Sequence, residues 1–106
     1  MSQNYPKYNE EIRASMKKLS KEIPDTMQGF MNLHKAASAD GELNTKTKEL
    51  IALAIAITVR CNGCIAFHVH DALEAGASRK EILETVAVAV LMGGGPSVVY
   101  GTEAMD

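Results

Sequence analysis

Leu50-Ile51-Ala52-Leu53-Ala54-Ile55-Ala56-Ile57-Thr58-Val59 is the stretch on which the fold turns. Its Ile and Val favour strands as readily as helices. A second run, Val86-Ala87-Val88-Ala89-Val90, is apolar on both faces whichever period is tried, so periodicity is silent there. Three features decide for helix. Both runs sit in long apolar-periodic segments, both are rich in Ala, and the second follows Ser78-Arg79-Lys80-Glu81, a capping-box sequence.

Working outward, the chain reads as a small all-α bundle of about six helices. Residues 8–23 carry Ile12, Met16 and Leu19 at the i, i+4, i+7 spacing of an amphipathic helix. Pro24 suits the first turn of a second helix, reaching toward Ala39. Asp40-Gly41 is a turn signal, after which Asn44 or Thr45 can cap a third helix over residues 46–59. A fourth begins near Cys61 and stops at Gly76, a natural left-handed C-terminal residue. The fifth opens at the capping box and runs to Met92, where Gly93-Gly94-Gly95 should break it before Pro96 starts a short last helix.

A helix that is apolar all round must be covered on all sides. With three Tyr, two Phe and no Trp, short helices offer limited cover. The expectation is therefore a homo-oligomer, in which subunit interfaces finish the burial. The alternative places both apolar helices centrally in one small core.

The 106 residues read as one domain, 46% hydrophobic and 23% charged, which is globular composition. A net charge of -2 gives no basic field for phosphate backbones. Lys7, Lys17, Lys18 and Lys21 alternate with Glu10, Glu11 and Glu22 as a solvated helix face, so no nucleic-acid partner is expected. No stretch has the layout of a signal peptide, and the apolar run at residues 50–59 is about half of a bilayer span. Neither a membrane partner nor export is expected. In the cytoplasm, ordinary thiols stay reduced and structural disulfides are rare. The two Cys then call for a chemical explanation.

They stand in Cys61-Asn62-Gly63-Cys64-Ile65-Ala66-Phe67-His68. On a helix, positions 61, 64 and 68 fall within a sector of roughly 60°. Cys64 and His68 are i, i+4 neighbours. A helix N-terminus and an adjacent imidazole both favour the thiolate, the attacking species. The second thiol can trap an oxidised sulfur as a disulfide before it reaches irreversible states. Zinc binding and inert buried thiols are the other readings of such a pair. A Cys2His2 site would need a fourth ligand, such as His34, and no second Cys or His pair completes the usual zinc pattern. No metal or other cofactor is expected. Haem attachment is excluded because Ile65 follows Cys64.

Glu49 is the other polar residue of interest. If the third and fourth helices form an antiparallel hairpin, residues equidistant from the turn lie side by side. The midpoint of 49 and 68 falls between Thr58 and Val59, near the connection. Glu49 could thus face His68, orient the imidazole and pass protons. The alternative is an exposed first-turn Glu favourable to the helix dipole. His34 reads as a helix-face residue at a core edge, His70 as facing solvent or an interface, and the six Met as core and interface filler.

Together these residues resemble the alkylhydroperoxidase D-like branch of the carboxymuconolactone decarboxylase family. The pattern E-x11-C-x2-C-x3-H-x3-A-x3-G is met by Glu49, Cys61, Cys64, His68, Ala72 and Gly76. The similarity extends over residues 45–96; the N-terminal part adds only helical character. The resemblance implies an all-helical fold assembled as a homotrimer or homohexamer. It implies a thiol-dependent peroxidase that reduces hydroperoxides and is restored by a partner thiol reductant. Carried over by position, Cys64 looks like the peroxide-attacking thiol, Cys61 the resolving one, and His68 with Glu49 the proton relay. There is one departure. The peroxidase that names the branch has a His immediately before the second Cys, where this chain has Gly63. That keeps open a thiol–disulfide exchange protein acting on disulfide substrates, and a metal-binding or structural oligomer. The decarboxylase that gives the family its other name lacks the Cys pair, so decarboxylation is not expected.

Overall fold

The computed structural model describes residues 5–105, and every regular element among them is a helix. In order these are α1 (Tyr5–Glu22), α2 (Pro24–Ser38), α3 (Thr45–Thr58), α4 (Asn62–Glu74), α5 (Arg79–Gly93) and α6 (Gly95–Ala104). Both apolar runs are helical. None of the described helices is long and apolar enough to cross a membrane.

The helix ends show why the sequence folds this way. Asn44 caps α3, its side chain accepting the Thr47 N–H at 2.8 Å. Thr45 is the first helical residue; its N–H and hydroxyl both donate to Asp40, at 2.7 and 3.0 Å. Those two bonds, the backbone one foremost, hold the Asp40 carboxyl below its ordinary range. Ser78 and Glu81 form the full capping box at the start of α5. Glu81 also meets Lys46 Nζ at 2.9 Å, and the Lys46 contact, then the Ser78 N–H, lowers its carboxyl.

The α3–α4 connection is a tight helical hairpin. Arg60 stands at φ 62, the only described non-glycine residue at positive φ. The Cys61 N–H donates to Ala56 O at 3.1 Å and the Arg60 N–H to Ile57 O at 3.2 Å. That is the Schellman pattern, with Arg60 in the place glycine usually takes. Gly76 closes α4 the same way at φ 94, as its position predicts. The glycine run breaks the chain more narrowly than expected. Gly93 stays inside α5, Gly95 begins α6, and Gly94 alone turns, at φ 68. Gly93 is kept small by packing, since a Cβ there would collide with Ser97.

The core lies among α3, α4, α5 and α6. Leu53, Ile57 and Ile65 are fully buried, joined by Ala56, Ile82, Ala89 and Ala104. Each of the three large side chains contributes about 1.5–3 kcal/mol by leaving water. α1 lies across α4, and α2 reaches α1 and α3. The outer pair is less well covered than the sequence implies: Leu19, Phe30 and Leu33 are about half or more exposed. The methionines, expected as core and interface filler, divide between the inside and the surface. Met27 is buried, whereas Met31, Met92 and Met105 are exposed, because the tight α3–α6 packing is filled by Ala, Ile and Leu.

Candidate functional site

Cys61 is the N-cap of α4, and its Sγ accepts the Cys64 N–H at 3.2 Å. The two cysteines are joined by a disulfide, with Cα atoms 5.2 Å apart. Cys64 also packs against the core cluster, so the pair sits where the first turn of α4 enters the protein. His68 follows one turn later on the same helix.

Glu49 meets His68 across the α3–α4 hairpin. Its Oε1 lies 2.7 Å from His68 Nδ1. An ionised carboxylate only accepts, so Nδ1 is the protonated nitrogen and Nε2 is left with the basic lone pair. Glu49 is 3% exposed. A carboxylate so buried needs partners in place, which makes the contact a fixed feature and not a surface ion pair.

The structure extends this pair in a direction the sequence reading missed. His34, on α2, places Nε2 4.0 Å from Glu49 Oε2 and 4.0 Å from Asp71 Oδ2. The expected helix-face residue thus points its buried nitrogen at both carboxylates. Asp71 is held from its other oxygen by Arg13 of α1, Nη2 to Oδ1 at 3.0 Å. Arg13 is in turn steadied by Asn9 Oδ1 at 3.2 Å and by the Phe67 ring, 4.0 Å from its centroid. His70, half exposed as expected, touches the rim of this group, its Nδ1 3.2 Å from Asp71 Oδ1. Asp71 carried a legible signal, since it is i+3 from His68 and shares its face. His34 and Arg13 carried none, because their approach depends on how α2 and α1 cross the hairpin.

An open pocket of about 280 Å³ runs along His34, Glu49 and His68, walled by Phe30, Leu33 and Ala52. Lys48 is the cation at its edge. On the other side of α4, Gly63 lies under α1: a Cβ there would come within 3.2 Å of Ile12 Cδ1. The position that departs from the family pattern is therefore one that α1 covers closely.

Comparison with known proteins agrees with this architecture. The family model of the carboxymuconolactone decarboxylase family matches residues 24–106. An uncharacterized protein of Cupriavidus necator is 38% identical over 95 residues, which is 90% of this chain and 84% of that one. The apo crystal structure of a carboxymuconolactone decarboxylase family protein from Legionella pneumophila superposes with a TM-score of 0.92. It is 45% identical, and the match covers 98% of this chain and 93% of that chain. A crystal structure of such a protein from Thermotoga maritima gives a TM-score of 0.69 at 34% identity, covering 74% and 81%. For the Thermotoga protein a possible involvement in the antioxidative response is stated.

Proposed function

The chain belongs to the carboxymuconolactone decarboxylase family, and from that premise we propose that it is a thiol-dependent peroxidase of the alkylhydroperoxidase D-like kind. The observation that carries the reading is the 2.7 Å contact between His68 and buried Glu49, one helical turn beyond the Cys61–Cys64 pair. The Thermotoga relative's possible antioxidative role points the same way.

In the reduced protein, the Nε2 lone pair of His68 takes the Cys64 proton, and Glu49 stabilises the resulting imidazolium. The thiolate attacks one peroxide oxygen and the O–O bond breaks. Cys64 becomes a sulfenic acid, and the other oxygen leaves as an alcohol or water after gaining the proton from His68. Cys61 then attacks Cys64, forming the disulfide and releasing water. Two electrons from a partner dithiol restore the pair. Such a cycle suits a cytoplasmic protein, where thiol reductants are abundant. We read the working form as a homotrimer or homohexamer.

The test is mass spectrometry after one equivalent of hydroperoxide. The wild type should show the Cys61–Cys64 disulfide, and Cys61→Ser should show a trappable sulfenic acid on Cys64. Free thiols persisting in the wild type would overturn the assignment. A second reading, disulfide exchange without peroxide turnover, is favoured by Gly63, whose surroundings leave little room for an imidazole beneath Ile12. It would be recognised by a disulfide that forms with disulfide substrates while peroxide is left unconsumed.

A further inference from the structure

Glu49 and Asp71 each use one carboxylate oxygen for a partner in the protein, His68 and Arg13 respectively. Their second oxygens both face a single atom, His34 Nε2, at 4.0 Å each. That nitrogen is buried and has no hydrogen-bond partner. A separation of 4.0 Å exceeds hydrogen-bond range, which ends near 3.2 Å for N–H···O. Donors that share one tetrahedral ion at about 2.0–2.2 Å stand about 3.3–3.6 Å apart, so these spacings are somewhat wider than those of a closed site. The three donor atoms lie within 4.8 Å of one another, so side-chain adjustments of up to about 1 Å would close them around a cation.

From this geometry we propose that His34, Glu49 and Asp71 form a binding site for a divalent first-row transition-metal ion, separate from the two cysteines. One imidazole and two carboxylates suit zinc or manganese better than calcium or magnesium, which favour oxygen alone. The three ligands come from α2, α3 and α4, and each carboxylate is oriented from behind, Glu49 by His68 and Asp71 by Arg13. Such outer partners are what fix ligand direction in metal sites. Charge points the same way. Of the two carboxylates, Asp71 meets the permanently charged Arg13 at 3.0 Å, whereas Glu49 meets imidazoles, so the centre has room for added positive charge. The pocket lined by His34 and Glu49 provides an entry path to the site.

The site does not rest on the thiol reading, and the test separates them. Zn²⁺ is titrated by calorimetry into the metal-free, disulfide-bonded protein, whose sulfurs are engaged with each other. One ion per chain is expected. Affinity should fall about 100-fold or more in His34→Gln and in Asp71→Asn, since even an outer-partner loss costs 10–100-fold. Binding should survive in the Cys61→Ser/Cys64→Ser double variant. Bound Co²⁺ should show a spectrum free of thiolate charge transfer. Absence of stoichiometric binding, or binding unchanged in both ligand variants, would overturn the proposal. So would binding that appears only on reduction and vanishes with the cysteines. Circular dichroism on each variant identifies a misfolded one, and two separate ligand substitutions keep the question decidable if either fails to fold.

Discussion

At the scale of single residues, the proposed chemistry rests on the contact of Glu49 with His68. A carboxylate that accepts from Nδ1 selects the tautomer in which Nε2 carries the basic lone pair. Replacing Glu49 with Gln keeps the shape and removes the charge that stabilises the imidazolium. Peroxide-dependent oxidation of Cys64 should slow by about 100-fold, within the range that general-base assistance supplies. The thermal midpoint should hold or rise, because a charge 3% exposed is costly to bury. Stopped-flow thiol oxidation and a melting curve on the same sample check both halves. A variant that loses stability and keeps its rate would make Glu49 a purely structural residue. The Glu49–His68 contact was legible because an antiparallel hairpin makes the two residues equidistant from its turn. His34 was not legible. Nothing in its neighbours fixes which way α2 crosses α3, and the crossing decides that its nitrogen meets Glu49 and Asp71.

At the scale of elements, capping chemistry wrote most of the fold into the sequence. Asn44, Ser78 with Glu81, and Gly76 each end or start a helix where their side-chain or backbone chemistry says they should. Arg60 and the glycine run were less readable. Arg60 adopts φ 62 without being Gly, forced by the Schellman bonds that close α3 onto α4. Gly93 serves close packing and not a turn. Two predictions follow from the caps. Gly76 has φ 94 and open space around it, so Gly76→Ala meets only backbone strain. It should cost about 1–2 kcal/mol, read as a melting point lower by several degrees. The second concerns pH. The Glu81 carboxyl is lowered in the folded protein, chiefly by Lys46, so on acidification the unfolded chain binds its proton first. Its contribution is full above the ordinary carboxylate range and is lost as pH falls through the folded value. Urea midpoints measured from about pH 6 down to about pH 3 should therefore fall less steeply in Glu81→Gln than in the wild type. Parallel curves would remove Glu81 from the acid sensitivity.

At the scale of the whole molecule, the unfinished burial foreseen in the two apolar helices is visible as exposed stripes. Along α3 and its C-cap, Ile51, Ile55 and Val59 recur every fourth residue and are 46%, 55% and 63% exposed. At the α5–α6 corner, Leu91 and Met92 stand 80% and 76% exposed, beside Val98 and Val99. The chain is also flat, with extents of 38 × 36 × 22 Å and a radius of gyration of 14.0 Å, against about 13 Å for a compact chain of this size. A slab with apolar faces buries more by stacking on its own copies than by folding tighter. Exposed apolar stripes of this kind are what the proposed homo-oligomer would cover. Assembly into a trimer or hexamer should be seen in sedimentation velocity at micromolar concentration. Leu91→Glu combined with Met92→Glu places like charges at the most exposed apolar point of every chain. If that corner is an interface, the double variant should sediment mainly as monomer and melt at lower temperature while keeping its helical spectrum. A wild type that sediments as a monomer would leave these stripes bare in solution and remove the oligomer from the account. A double variant that assembles normally would move the interface to the α3 stripe, where Ile55→Glu repeats the test.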